Sequence, residues 1–203
     1  MALLDWITPG DSLRLQGEGI EIRPPRPSDF PEWSELRRAS HDFLQPWEPL
    51  WPADDLTRSA WRRRLASYAR DIDLGAAYPF LVFRKGDGAL TGGVTLSNIR
   101  RGVAQMGTVG YWCGAAYTRR GHSLAAVRTV VRFAFRTLSL HRLEAACLPE
   151  NTPSRRLLGQ AGFLEEGFAR DYLRINGRWR DHVLFGLVAP EAPGEDPKMR
   201  LSI

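Results

Sequence analysis

The 203-residue sequence predicts a single domain of the α+β class. Two segments with a helical spacing of apolar residues come early, and several segments in which apolar and polar residues alternate follow them. At the centre, residues 111–134 combine the end of a strand, a short basic loop and a long periodic helix. A chain of this length can build one sizeable hydrophobic core, so one domain with short terminal extensions is expected.

Composition excludes several classes of protein. Hydrophobic residues make up 43% and charged residues 25% of the chain, which is ordinary for a soluble protein. No apolar run approaches the roughly 18 residues that span a bilayer, and Asp5 and Pro9 interrupt the start, so we expect a cytoplasmic protein without membrane contact. The net charge of +5 favours an anionic partner, such as nucleic acid, a ribosomal surface or a phosphate-rich cofactor. Cys113 and Cys147 are expected to be reduced core residues, and no metal site is predicted.

The first elements are punctuated by glycine and proline. Residues 1–19 are predicted to form an N-terminal extension or a hairpin-like lead-in, because glycines interrupt them. Residues 20–23 alternate as a short strand that Pro24 ends. A helix is predicted to begin near Ser28 or Asp29.

Residues 41–52 form a loop with three prolines and several large apolar side chains. The prolines argue against a regular helix, and the apolar side chains need a packing partner. That partner is either the core or a bound substrate, and both readings stay open. Glu48 is the carboxylate inside this loop.

A second helix is predicted after Asp54 and Asp55, with Trp61 and Leu65 on its apolar side. Strands are predicted at residues 78–83 and 90–96, joined by a glycine turn, and at residues 105–112.

The central loop has the features of a phosphate site. Unpaired N–H groups and the helix dipole favour anions at the start of a helix. Glycine lets the backbone approach a ligand, and arginines supply charge. The predicted site residues are Arg119, Arg120, Gly121, His122 and Ser123. In the helix that follows, the predicted core stripe is Leu124, Val127, Val131, Ala134 and Leu138, and a separate arginine row faces solvent.

The last third of the chain is predicted as a strand at 143–148, a helix within 151–163 and a hairpin of strands at 163–173 and 181–188. Thr152 is the predicted helix cap, and Gly162 the predicted left-handed end. Asn176 and Gly177 form the predicted hairpin turn. The domain is expected to span residues 20–189, followed by a tail from 190 to 203.

Taken together, the element order and several motifs resemble the GNAT superfamily of acyl-CoA-dependent N-acyltransferases, and within it the RimJ/RimL group of ribosomal-protein N-terminal acetyltransferases. The resemblance covers roughly residues 20–189. The motifs that carry it are Phe43-Leu44-Gln45-Pro46-Trp47-Glu48-Pro49, Gly110-Tyr111-Trp112, the loop from Arg119 to Ser123, His141-Arg142-Leu143-Glu144, Asn151 with Ser154, Gly162-Phe163, Asp171-Tyr172-Leu173, and Gly177-Arg178-Trp179-Arg180-Asp181-His182. In the loop, Thr118 and Ser123 depart from the family pattern.

The resemblance implies a mixed, mostly antiparallel, splayed sheet flanked by helices, with acetyl-CoA as the cofactor. It places the pantetheine arm along Tyr111, Trp112 and Cys113, and the pyrophosphate at the central loop with Leu124 opening the helix. Asn151 and Ser154 would lie beside the thioester, and Ser154 matches the position proposed to protonate the leaving thiolate. Capping of the helix is the alternative role for Ser154.

The resemblance implies an acceptor cleft that includes Trp47, Glu48, Asp171 and Tyr172, but it does not identify the general base. The candidates are Glu48, Glu144 and Asp171, with Glu48 and Glu144 preferred. Each could instead pair with an arginine or lie in solvent.

The function expected from the resemblance is acetylation of a primary amine, above all the N-terminal amine of a ribosomal protein that begins with alanine. Small amines, such as an antibiotic, a polyamine or an amino-acid conjugate, are the first alternative. The second is a non-catalytic protein that binds acyl-CoA or the ribosome. The oligomeric state is not predicted.

Overall fold

The computed structural model describes residues 13–190, which form a single eight-stranded sheet with helices on both faces. The strands are β1 (Leu15–Gln16), β2 (Ile20–Arg23), β3 (Tyr78–Arg84), β4 (Leu90–Arg100), β5 (Met106–Cys113), β6 (Arg142–Cys147), β7 (Leu164–Ile175) and β8 (Arg178–Val188). The helices are α1 (Phe30–Ala39), α2 (His41–Leu44), α3 (Arg58–Asp73), α4 (His122–Arg136) and α5 (Thr152–Gln160). None of the helices in this range is long and apolar enough to cross a membrane.

The sheet has the strand order β1-β2-β3-β4-β5-β6-β8-β7, and every neighbouring pair except β5 with β6 is antiparallel. The parallel pair is short, because residues 106–108 of β5 pair with residues 142–144 of β6 and the register then stops. Beyond this point residues 109–113 continue along β4 alone. The mixed, mostly antiparallel and splayed sheet is therefore confirmed.

The two faces of the sheet carry separate apolar clusters. Helices α4 and α5 cover one face, where Val127 and Val130 pack with the strands in the larger cluster. Helices α1 and α3 cover the other, where Trp33 and Trp61 stack with ring centroids 4.5 Å apart. The predicted stripe of α4 is wrong in its centre, because Val130 and Phe133 are buried while Leu124, Val131 and Leu138 are only partly buried.

Two local predictions need correction in the first part of the chain. The segment predicted as a loop without regular helix begins with the one-turn helix α2, followed by a 3-10 turn at Gln45–Trp47. Pro46 is tolerated because it stands in the first turn, where its missing N–H has no partner to lose. In the predicted lead-in, β1 pairs with β2 as a hairpin, and residues 1–12 lie outside the described residues.

In the last third, Asn151 and not Thr152 caps α5, because its side chain accepts a hydrogen bond from the backbone N–H of Ser154 at 3.1 Å. The hairpin turn is confirmed, with φ of 45° at Asn176 and 78° at Gly177. Strand β8 begins at Arg178, earlier than predicted. Residues 191–203 of the predicted tail lie outside the described residues.

Candidate active site

The first part of the site is the amino end of α4. Gly121 is the residue before the helix, with φ of 80°, and no side chain caps the first turn. A Cβ at Gly121 would meet no atom within 4 Å, so the space in front of the helix is open. Three N–H groups of the first turn therefore point toward this space without partners inside the helix, as an anion site requires. His122 and Ser123, predicted in the loop, already belong to the helix.

Two exposed arginines flank this helix end. Among residues 13–190, neither Arg119 nor Arg120 forms an ion pair, so both guanidinium groups are available to an anion. The guanidinium of Arg120 lies 5.9 Å from the ring centroid of Tyr117. Arg119 has φ of 60°, which turns the chain sharply into the helix. Together with the helix dipole, these residues make a positive seat that fits a pyrophosphate.

His122 sits at the base of this seat. Its Nδ1 atom is buried and has no hydrogen-bond partner. Burial lowers the pKa of His122, and the nearby positive charges of Arg84 and Arg120 lower it further. The imidazole is therefore neutral at pH 7, and the positive charge of the seat comes from the arginines.

The second part of the site is the open edge of β5. Because residues 109–113 have no partner on the β6 side, their backbone groups on that edge are free to bind an extended ligand. Trp112 lies over Gly93 of β4, where an added Cβ would come within 2.4 Å of the indole nitrogen. Burial raises the pKa of the Cys113 thiol, so this cysteine is protonated at neutral pH.

The side chains of Tyr111 and Ser154 meet in the gap between the splayed strands. Their hydroxyl oxygens are 2.7 Å apart, and burial raises the pKa of Tyr111, which keeps the phenol protonated. Asn151 supplies the cap of α5, so the hydroxyl of Ser154 is free of that role. The Tyr111 hydroxyl was missed from the sequence because it comes together with Ser154 across 43 residues of chain.

The carboxylate of Glu48 is fully engaged. The two terminal nitrogens of Arg37 donate to its oxygens at 2.8 and 2.7 Å, and the indole N–H of Trp51 donates at 2.7 Å. The guanidinium of Arg37 also lies 4.0 Å from the ring centroid of Trp51 and 4.9 Å from that of Trp112. These contacts bind the loop at residues 45–51 to α1 and β5, and they oppose uptake of a proton by Glu48.

Glu144 is not brought to the Tyr111–Ser154 pair. Its neighbours on β6, Leu143 and Ala145, face the core under α4, so alternation puts Glu144 on the opposite face of the sheet. There its carboxylate accepts a hydrogen bond from Arg142 at 3.3 Å and lies 3.9 Å from Arg100.

The predicted acceptor residues lie around the β7–β8 hairpin. A bulge in β7 gives Asp171 φ of 45°, and its N–H donates to the Asp181 carboxylate at 2.9 Å. Asp171 and Asp181 line a surface cavity of about 330 Å³ beside Glu150, next to the start of α5. Tyr172 is 47% exposed and its ring packs against buried His182.

The hairpin and the loop that carries Trp47 form one continuous wall. The N–H of Asn176 donates to the carbonyl of Glu48 at 2.9 Å. Leu50 packs at the turn, since a Cβ on Gly177 would lie 3.0 Å from its side chain. Trp47 is half-buried in this loop. Among residues 13–190, no group of three or more His, Cys, Asp or Glu side chains could hold a metal ion.

Comparison with known proteins places this geometry in context. The family profile described as "Acetyltransferase (GNAT) domain" matches residues 20–164. The chain is 36% identical over 177 residues to the Bacillus subtilis (strain 168) protein named "Probable N-acetyltransferase YjcK", covering 87% of this chain and 98% of that protein. It is 32% identical over 183 residues to the [Ribosomal protein uS5]-alanine N-acetyltransferase of Escherichia coli (strain K12), covering 90% and 94%.

The solved structure of Mycobacterium smegmatis RimJ in complex with CoA-disulfide superposes with a TM-score of 0.82 and 33% identity, covering 89% of this chain and 88% of that one. The likeness therefore extends over nearly all of the described fold, including the splayed strands, the α4 seat and the β7–β8 hairpin.

Proposed function

The chain belongs to the acetyltransferase (GNAT) family, and on this premise we propose that it transfers the acetyl group of acetyl-CoA to the N-terminal α-amino group of a ribosomal protein that begins with alanine. The observation that carries the proposal is the joint presence of the α4 anion seat and the Tyr111–Ser154 pair at the splayed strands. We place the protein in the cytoplasm with this substrate, and we take residues 20–189 as the catalytic domain.

The residues of the chain fit coenzyme A. The pyrophosphate would bind the N–H groups at residues 122–124 and the guanidinium groups of Arg119 and Arg120, with Gly121 leaving room for it. The pantetheine amides would pair with the open edge of β5 at Tyr111, Trp112 and Cys113. When bound, acetyl-CoA supplies the activated acyl carbon that an amine attacks.

Ser154 and Tyr111 would act on the leaving group. The Ser154 hydroxyl donates a proton toward the departing thiolate, and the phenol of Tyr111, still protonated, donates to Ser154 in turn. Asn151 positions Ser154 by capping the helix at its backbone N–H. The chain also contributes by orienting both reactants between β5 and the hairpin wall.

The acceptor would approach along the wall formed by Trp47 and Tyr172. Asp171, Asp181 and Glu150 give the nearby cavity negative charge, which attracts an ammonium group. Of the three base candidates, we favour Asp171, because in the described residues its carboxylate makes no ion pair while Glu48 and Glu144 both bond arginines. It would accept the amine proton, directly or through water.

A thiol-release assay with acetyl-CoA tests the proposal. A peptide that begins with alanine should be turned over, and the same peptide already acetylated at its α-amine should not. Polyamines and aminoglycosides at matched concentration are the comparison. Turnover of these small amines with silence on every peptide would overturn the proposed substrate and leave the family assignment intact.

A further inference from the structure

A cavity of about 210 Å³ lies between the helices α1 and α3 and the strands β3, β4 and β5. It is on the opposite face of the sheet from the Tyr111–Ser154 pair, because Trp112 lines it and alternates with Tyr111 along β5. The volume is several times the roughly 30 Å³ of a water molecule but below the roughly 300 Å³ at which small-molecule pockets begin. It suits one compact group and not a whole cofactor.

Hydrogen-bond donors without partners surround this cavity. Trp61 and Arg37 are 2% and 7% exposed, and the indole nitrogen of Trp61 and the Nε atom of Arg37 are buried with no partner. The hydroxyl of Tyr68 also makes no hydrogen bond within the described residues, and burial raises its pKa, so it remains a donor. Buried donors require an acceptor, and no described protein atom supplies one here.

The carboxylates near the cavity are already used. Glu48 accepts from Arg37 and Trp51, and Asp55 accepts from Arg64. An ammonium group would therefore find no carboxylate on the lining side chains that is free to receive it. A ligand must instead offer lone pairs to three donors, which exceeds the two lone pairs of a single carbonyl oxygen. A carboxylate, with two acceptor oxygens, satisfies all three.

The cavity adjoins the acceptor wall. Arg37 and Glu48 line it and also anchor the loop that holds Trp47, and Trp112 connects it to the open end of β5. We propose that this cavity is a subsite that binds a carboxylate of the acceptor close to the amine that is acetylated. The proposal rests on the acetyl transfer proposed above and adds an acidic residue near the acceptor terminus as a specificity element.

The test uses the ¹⁵N-labelled full chain and three peptides of equal length that begin with alanine and differ only at the second residue, which is Asp, Asn or Leu. Loss of one indole signal in Trp61→Phe assigns the Trp61 N–H resonance. That resonance should shift with the Asp peptide and not with the Leu peptide. KM for the Asp peptide should be roughly tenfold lower than for the Leu peptide, as expected for one hydrogen bond to a charged group.

Tyr68→Phe removes a lining hydroxyl with little change in volume, so it should abolish the KM difference between the peptides. Tyr78→Phe is the matched control, because Tyr78 packs against Phe133 under α4 with centroids 5.1 Å apart and should keep the difference. Acetylation of all three peptides with equal KM and a static Trp61 resonance would mean that the cavity holds water only, which overturns the subsite alone. A Trp61 shift specific to the Asp peptide without any acetylation would support the subsite and overturn the proposed function.

Discussion

The hydroxyl oxygen of Tyr111 on β5 lies 2.7 Å from the hydroxyl oxygen of Ser154 on α5. The two residues stand on opposite sides of the gap that opens where β5 leaves β6. Since Asn151 already caps α5, the pair is free to act on a ligand in the gap. This relationship gives the proton-donor role of Ser154 a direct test.

Ser154→Ala should lower kcat by roughly a hundredfold, the lower end of the range for general acid catalysis, and leave the Kd of coenzyme A unchanged. Steady-state kinetics and calorimetric titration with coenzyme A measure the two quantities. Thr152→Ala, in the same first turn but exposed, is the control. Equal losses of turnover and cofactor affinity in Ser154→Ala would show that the residue serves binding instead.

Tyr111→Phe should lower kcat less than Ser154→Ala, because it removes a group that acts through Ser154. The double variant should be no slower than Ser154→Ala alone, since two groups in one hydrogen-bonded chain do not act additively. Kinetics of the two single variants and the double variant form the measurement. Fully additive losses would mean that Tyr111 and Ser154 work independently.

Arg120→Glu should raise the Kd of coenzyme A roughly tenfold at low salt, and the difference from the unmodified chain should shrink as salt rises, because Arg120 is exposed. The kcat at saturating acetyl-CoA should change little. Arg136→Glu at the far end of α4 is the matched control and should leave Kd unaltered. A kcat defect with normal Kd in Arg120→Glu would contradict the phosphate role.

Glu48→Gln should reduce the free energy of unfolding by about 2 kcal/mol, because it leaves the buried guanidinium of Arg37 without a full counter-charge. Urea denaturation measures the change. Glu35→Gln, which breaks an exposed pair with Arg38, should cost less than about 0.5 kcal/mol. Total loss of acetyl transfer in a Glu48→Gln protein of normal stability would instead support Glu48 as the base.

His122 should make stability depend on pH. Its pKa is lowered by burial and by Arg84 and Arg120, so below the ordinary histidine value the unfolded chain binds a proton that the folded chain does not. Stability should therefore fall as pH drops below about 6.5, until the folded pKa is reached. Urea midpoints at pH 7.5 and 5.5 measure this, and His122→Asn should show a smaller fall. An identical fall in both proteins would assign it to other groups.

Local chemistry along the chain was sufficient for much of this description. The Asn176-Gly177 turn, the strand at residues 20–23 and the helix after Asp55 depend on neighbouring residues alone, and each was predicted. Asn151 shows the limit of such reasoning, because Asn151 and Thr152 are both good caps and only the path of the chain from β6 chooses between them.

The sequence by itself determined the elements, the basic glycine loop before α4 and the motifs of the acetyltransferase family, since these are encoded in short spacings and in resemblance. Tertiary structure decided which side chains meet. Tyr111 reaches Ser154 across 43 residues, and Arg37 reaches Glu48 across 11 and then lies over Trp112. Such contacts depend on strand register and on the splay of β5 from β6, which a sum over the whole packed sheet fixes and no local pattern reveals.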